Sequence, residues 1–88
     1  MILYIIGAGG HGKVAAEVAI LMNSYKEIIF LDENKDTGSK VLGLHVIGKK
    51  NFNFIKNLVN SKANFFVAIG DGFKRAEIQN KLFECKAN

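Results

Sequence analysis

A glycine-rich loop near the start of the chain lies between an apolar, strand-like segment and a helical pattern. The run Gly7-Ala8-Gly9-Gly10-His11-Gly12-Lys13 has the spacing G-x-G-x-x-G and directly follows the apolar residues 2–6. In this motif the first glycine permits a tight exit from the strand, the second lets a phosphate approach the backbone, and the third brings helix and strand together. N–H groups at the helix start then meet the phosphate with the positive end of the helix dipole. We therefore predict that residues 7–13, the glycine loop, bind a phosphate.

Strand-like segments recur along the chain and alternate with helical patterns. Residues 2–6 are continuously apolar, as in a parallel strand covered on both faces. Residues 27–32 and 65–69 are predicted as further strands, and residues 41–48 as an edge strand or extended loop. This alternation predicts a small, Rossmann-like α/β domain of three layers, with a mostly parallel sheet of three to four strands.

The helices are predicted from the spacing of apolar residues. The first helix follows the glycine loop, and its buried face is predicted at Val14, Val18, Leu21 and Met22. Its alanines, Ala15, Ala16 and Ala19, allow close backbone approach. A short second helix is predicted around Ile55, Leu58 and Val59, and a last helix with Ile78, Leu82 and Cys85 inside and Lys74, Arg75 and Lys81 outside.

Composition indicates one small globular domain over residues 1–88, since 49% of the residues are hydrophobic and 23% are charged. No apolar run reaches the roughly 20 residues that cross a bilayer, and the start of the chain lacks the basic region of a signal peptide. We therefore expect no membrane span and a cytoplasmic protein. The single cysteine, Cys85, excludes an internal disulfide framework and is interpreted as a small apolar residue.

The net charge of +4 is spread over loops and helix faces. Binding to nucleic acid calls for a denser basic stripe with interleaved aromatic residues, so we expect no nucleic-acid partner. No cluster of side chains has the spacing of metal ligands, so no metal site is predicted.

Two neighbouring carboxylates lie at the end of the second predicted strand, since Asp32 ends it and Glu33 follows directly. Asp32 lies twenty residues beyond Gly12, where a carboxylate can accept hydrogen bonds from a ribose or a base edge. Adjacent carboxylates would repel a 2′-phosphate, which disfavours NADP. NAD also fits poorly, because a dinucleotide normally lies across two mononucleotide-binding halves and this chain supplies little more than one. A ligand with one nucleoside and a diphosphate fits better.

The other candidate residues each have a structural alternative. The imidazole of His11 can donate to a phosphate or a sugar hydroxyl, or face solvent, and it lacks a nearby carboxylate to orient it as a catalytic base. Lys13 can reach a phosphate or point to water. Asp71, between Gly70 and Gly72, can contact the ligand from the opposite wall of the crevice or cap the last helix. Such a crevice is expected at the topological switch point, if the second and last strands flank the first.

Four motifs in order resemble a known family. They are the glycine loop with Val14, Phe30-Leu31-Asp32-Glu33, Val46-Ile47-Gly48, and Phe66-Val67-Ala68-Ile69-Gly70-Asp71 with Arg75. Over nearly the whole chain the sequence is similar to the N-terminal domain of the sialic-acid O-acetyltransferase (NeuD-type) and bacillosamine N-acetyltransferase family of sugar acyltransferases. The resemblance implies a Rossmann-like domain that holds a nucleotide-linked or free sugar. It implies sugar-nucleotide contacts at Gly9, Gly10, His11, Asp32, Glu33 and Gly70.

The resemblance also implies partners for this domain. Family enzymes join it to a C-terminal left-handed β-helix, which binds acetyl-CoA, carries the catalytic histidine and forms homotrimers. No hexapeptide repeat of such a β-helix occurs within residues 1–88. We therefore expect this chain, a fragment of a longer enzyme or a free-standing relative, to bind substrate without catalysing transfer. The alternative from another class is a free-standing nucleotide- or NAD-binding sensor or interaction module.

Overall fold

The computed structural model describes residues 1–48, 58 and 63–84. Five strands and two helices are defined there: β1 (Ile2–Ile6), α1 (Gly10–Met22), β2 (Glu27–Leu31), β3 (Lys40–Val41), β4 (Leu44–Ile47), β5 (Ala63–Val67) and α2 (Gly72–Glu84). The predicted strands near residues 2–6, 27–32 and 65–69 are thereby confirmed. The helix predicted around Ile55, Leu58 and Val59 lies outside the described residues except for Leu58, and Cys85 also lies outside them.

The strands form one sheet in the order β3-β4-β2-β1-β5. β1 lies in the centre and pairs in parallel with β2 on one side and with β5 on the other. The strands that follow β1 are therefore added first on one side of it and later on the other, which confirms the predicted switch point at the carboxyl ends of β1, β2 and β5.

The weak apolar segment at residues 41–48 is more ordered than the sequence predicts. It belongs to a hairpin in which β3 pairs antiparallel with β4, while β4 pairs in parallel with β2. Leu42 and Gly43 form the turn, with positive φ angles of 54° and 77°. The sheet consequently has five strands rather than three to four, because a two-residue turn lets this short segment supply two of them.

A helix lies on each side of the sheet. On one side α1 packs against Leu3, Ile5 and Phe30. On the other side Ile78 and Leu82 of α2 pack against Tyr4 and Ile6. Each face of β1 is thus covered by a different helix, which explains why its sequence is apolar without alternation. Neither of these helices is long and apolar enough to cross a membrane.

The predicted orientation of α1 is wrong. Its buried residues are Gly12, Ala16 and Ala19, whereas the large residues predicted to be buried are 60% (Val14), 52% (Val18), 85% (Leu21) and 60% (Met22) exposed. The reason is close packing, because a Cβ atom at Gly12 would overlap the Gly7 carbonyl oxygen. Only small side chains fit between α1 and the sheet. Because apolar residues occur on both sides of α1, their spacing in the sequence does not identify which side faces the sheet.

Candidate functional site

The glycine loop links the end of β1 to the start of α1. Gly7 has a φ of +108°, and a Cβ atom there would lie 2.7 Å from the Ala68 carbonyl oxygen. Its N–H donates to the Leu31 carbonyl at 2.8 Å. Gly7 therefore makes the tight strand exit, and Gly12 permits the close packing of α1, as the motif predicts.

The middle of the loop is open. Ideal Cβ positions at Gly9 and Gly10 have no atom within 4 Å. Gly9 is the N-cap of α1 and provides no side chain to bond the helix end. The first hydrogen bond of the helix runs from the Lys13 N–H to the Gly9 carbonyl at 2.9 Å, so the N–H groups of residues 10–12 have no partner in the helix. An anion could approach these groups without displacing a side chain.

Asp32 fixes the loop from the neighbouring strand. Its Oδ2 accepts from the Ala8 N–H at 2.9 Å, and its Oδ1 accepts from the Asn34 N–H at 2.8 Å. One carboxylate therefore connects the carboxyl end of β2 to the glycine loop and to its own turn. The sequence predicts Asp32 mainly as a ligand contact, with a structural cap as the alternative, and the structure shows that it has a structural role. Each carboxylate oxygen can accept a second bond, so its structural role leaves it able to meet a ligand.

Glu33 and Lys74 form an ion pair across the carboxyl edge of the sheet. Glu33 follows β2, whereas Lys74 lies in the first turn of α2. Between them is a small crevice of about 90 Å³, lined by Gly7, Leu31, Asp32, Glu33, Asn34, Ile69 and Lys74. This crevice lies at the predicted edge of the sheet and brings together Gly7, Asp32 and Glu33 of the predicted site residues. Its lining does not include the others, which are Gly9, Gly10, His11, Gly12, Lys13, Gly70 and Asp71.

Lys74 is the crevice residue that sequence reasoning missed. Its charge predicts a position on the outer side of the last helix, although its spacing of four and eight residues from Ile78 and Leu82 puts it on the same face as these apolar positions. The available signal was its position three residues after Asp71, in the first turn of a helix that begins at the switch point. Side chains in that turn lie close to the carboxyl ends of the strands.

Asp71 caps α2, as the structural alternative predicted. Its Oδ1 accepts from the Lys74 N–H at 3.1 Å, and its carbonyl accepts from the Arg75 N–H at 2.9 Å. The cap orients the first turn of the helix and thus places Lys74 at the crevice. Gly70 before it is exposed, with no atom within 4 Å of an ideal Cβ.

The two histidines lie away from this crevice. His11 is exposed on the first turn of α1, where its ring meets the edge of Phe66 with centroids 5.9 Å apart. It lines a separate groove between α1 and β5. His45 is exposed on β4, and Lys13 is exposed on α1. Within the described ranges, no group of three or more His, Cys, Asp or Glu residues is arranged to hold a metal ion.

Comparison with known proteins agrees with this architecture. The model of the PglD N-terminal domain family matches residues 2–82. Two similar solved structures are the acetyltransferase domain of PglB from Neisseria gonorrhoeae FA1090, with TM-scores of 0.80 in complex with acetyl coenzyme A and 0.81 in the other structure. Each is 37% identical to this chain and matches 98% of it, while the chain spans 40% of their length. The family match covers most of the sequence and includes the glycine loop and the crevice, so the chain belongs to the PglD N-terminal domain family.

Proposed function

We propose that this chain is the substrate-binding domain of an acetyl-CoA-dependent sugar acetyltransferase. In this proposal the crevice at the carboxyl ends of β1, β2 and β5 holds a nucleotide-linked or free sugar. The observation that carries the proposal is the open N-terminus of α1 within the glycine loop, next to the crevice that Asp32 and Glu33 border. Membership of the PglD N-terminal domain family and similarity to an acetyltransferase domain support it.

The proposed contact with phosphate uses backbone groups. The N–H groups of residues 10–12 lie at the positive end of the α1 dipole, and α1 has no acidic residue in its first turn. A diphosphate bound there would gain several N–H bonds and a favourable dipole interaction. Because Gly9 and Gly10 leave open space, the phosphate can approach the main chain directly.

The nucleoside is proposed to lie toward the end of β2. Asp32 and Glu33 supply carboxylate oxygens there, which accept hydrogen bonds from ribose hydroxyls or from N–H groups on a base edge. The same negative charges would repel a phosphate at that position. The loop and the β2 end therefore suit opposite parts of one sugar nucleotide.

Ligand entry would require the Glu33–Lys74 pair to open. The crevice of about 90 Å³ is smaller than the roughly 300–1,000 Å³ of a typical small-molecule site. The Lys74 side chain is 41% exposed, whereas that of Glu33 is 17% exposed, so the pair is only partly open to solvent. In this proposal a phosphate replaces Glu33 as the partner of Lys74, which is the more exposed of the two.

The proposed division of labour places catalysis outside residues 1–88. A full-length enzyme would transfer an acetyl group from acetyl-CoA to a sugar amine or hydroxyl, with acetyl-CoA bound by a C-terminal β-helix in a homotrimer. Within the described residues, His11 contacts Phe66 rather than a carboxylate that could orient it as a base. The purified chain should therefore bind sugar nucleotide and show no acetyl transfer above background.

Calorimetric titration tests this function with a panel of UDP-sugars, CMP-sialic acid and NAD. We expect at least one sugar nucleotide to bind and NAD to bind weakly or not at all. Gly9→Val should weaken every phosphorylated ligand, because the added side chain occupies the open space at the helix start. Tight NAD binding without a response to sugar nucleotides would favour a free-standing sensor. Acetyl transfer by the 88-residue chain alone would contradict the division of labour.

A further inference from the structure

The ion pair of Glu33 and Lys74 spans the crevice with side chains alone, because the main chain beneath each residue is fixed. The turn that carries Glu33 is held by Asp32, whose Oδ1 accepts from the Asn34 N–H at 2.8 Å. The first turn of α2, which carries Lys74, is held by the Asp71 cap. The pair can therefore open by rotation of two side chains, without movement of β2 or α2.

Glu33 is the acidic residue of the crevice that competes with a ligand for Lys74. Among the described residues that line the crevice, two are carboxylates, Asp32 and Glu33. Asp32 directs its oxygens to the N–H groups of Ala8 and Asn34, whereas Glu33 directs Oε1 to the Lys74 ammonium. Glu33 thus occupies the position beside Lys74 that a phosphate oxygen of a ligand would take.

The two partners of this pair differ in how well water solvates them. The side chain of Lys74 is 41% exposed and that of Glu33 is 17% exposed. A charge that loses its partner is penalised more strongly where water reaches it less. A ligand that takes Lys74 away must therefore supply Glu33 with a new partner, namely a hydroxyl or N–H donor.

The glycine loop does not provide such selectivity by itself. The N–H groups of residues 10–12 at the start of α1 suit any phosphate, whatever is attached to it. Gly9 and Gly10 leave open space there and contribute no side chain that could distinguish a nucleotide from a free phosphate. Discrimination between these two ligands has to come from the other side of the crevice.

We propose that Glu33 is a specificity-determining residue, which makes the crevice discriminate against phosphates that lack a hydroxyl or N–H donor. Inorganic pyrophosphate pairs with Lys74 and leaves the Glu33 carboxylate without a partner, next to further negative charge. A nucleoside diphosphate satisfies both residues, since its phosphate pairs with Lys74 and its ribose or base donates to Glu33. This inference rests on the proposed function, because it concerns the ligand of the same crevice.

Calorimetric titration of the 88-residue chain with UDP, CDP and pyrophosphate tests the proposal. The wild type should bind at least one of the nucleoside diphosphates about tenfold or more tightly than pyrophosphate. Glu33→Gln keeps the shape of the side chain but removes its charge, so it should bind pyrophosphate at least about threefold more tightly than the wild type. Its affinity for the nucleoside diphosphate should change less, because the amide oxygen still accepts from a donor.

Asp36→Asn controls for the change in net charge. Asp36 is exposed and does not line the crevice, so this variant should bind pyrophosphate as the wild type does. The Glu33→Gln change is then repeated together with Lys74→Met, which removes the object of the competition. The gain in pyrophosphate affinity should there fall below about twofold, whereas a general effect of charge would give the same gain in both backgrounds. Circular dichroism checks that each variant is folded, and Lys74→Gln replaces Lys74→Met if the latter is not.

The outcomes separate this inference from the proposed function. If a nucleoside diphosphate binds but Glu33→Gln brings no gain for pyrophosphate, or an equal gain with and without Lys74, the role of Glu33 is refuted and the proposed function stands. If neither nucleoside diphosphate binds and Glu33→Gln still brings the gain, the competition for Lys74 holds and the nucleotide substrate is wrong. Absence of binding by every variant would overturn both.

Discussion

Replacement of Asp32 by alanine should destabilise the folded domain even when no ligand is bound, because the carboxylate supports the glycine loop. The carboxylate accepts one hydrogen bond from the Ala8 N–H and one from the Asn34 N–H. Ala8 is fully buried, so its N–H would lose its partner where water reaches it poorly. A buried donor without a partner costs about 1–3 kcal/mol. The bond to the Asn34 N–H is exposed and adds a smaller amount.

We therefore expect Asp32→Ala to lower the free energy of unfolding by about 2–3 kcal/mol. In a domain of this size, 1 kcal/mol corresponds to roughly 4–8 °C in melting temperature, so the midpoint should fall by about 10–20 °C. Thermal and urea unfolding followed by circular dichroism measure both quantities. Asp32→Asn keeps one acceptor oxygen and should fall between the alanine variant and the wild type.

Asp36→Ala is the matched control for this experiment. Asp36 is exposed and uses its carbonyl, not its carboxylate, to accept from Ser39. Its replacement should change stability by no more than about 0.5 kcal/mol. If Asp32→Ala and Asp36→Ala unfold at the same temperature, the proposed connection between β2 and the glycine loop does not contribute to stability. If Asp32→Ala keeps its stability but loses nucleotide affinity, the carboxylate acts on the ligand alone.

Three further changes test other parts of the structure. Gly12→Ala should lower the free energy of unfolding, measured by urea titration, by about 1–3 kcal/mol, because the added Cβ overlaps the Gly7 carbonyl oxygen. Gly10→Ala is the control, and since there is open space around Gly10 it should be neutral or slightly stabilising in the same measurement. Gly9→Val should reduce the affinity for phosphorylated ligands at least about tenfold in calorimetry while the melting temperature stays near that of the wild type, and a large loss of stability would show that the open space is needed for folding. Burial, and secondarily the charge of Glu27, raises the pKa of Tyr4 above its ordinary value of 10.0. The folded state therefore holds this proton more tightly, so the contribution of Tyr4 to stability is complete below pH 10 and is lost as the pH rises further; Tyr4→Phe should show a smaller alkaline loss of stability than the wild type, and equal losses would refute this.

The sequence predicts the parallel core of this fold well because strand signals and connections agree there. The apolar run at residues 2–6 and the glycine loop together specify a strand, a sharp exit and a helix start. The two flanking strands are separated from their neighbours by helical patterns, which leaves few possible topologies. The hairpin of β3 and β4 escapes prediction because a two-residue strand carries too little pattern.

The orientation of α1 and the hydrogen bonds and ion pair that hold the site depend on contacts between residues far apart in the sequence. The spacing of neighbouring residues does not predict such contacts. Leu21 and Ala16 are both compatible with a buried face, and only the close approach of Gly12 to Gly7 decides between them. Asp32 and Ala8 are far apart in sequence, so their hydrogen bond cannot be inferred from spacing. Lys74 illustrates the same limit, because its partner Glu33 comes from the opposite side of the sheet centre.

The bond between Asp32 and Ala8 also has a consequence for the order of folding. The two residues are 24 positions apart, and they come together only when β2 has paired with β1. The glycine loop therefore cannot reach its final shape as a local turn during early chain collapse. Its completion must follow formation of the central strand pair, and the exchange rate of the Ala8 amide hydrogen should report the opening of that pair. A ligand that binds only the completed loop would stabilise the pairing of β1 with β2, although it need not contact the paired residues themselves. Such a ligand should therefore slow the exchange of the Ala8 amide hydrogen.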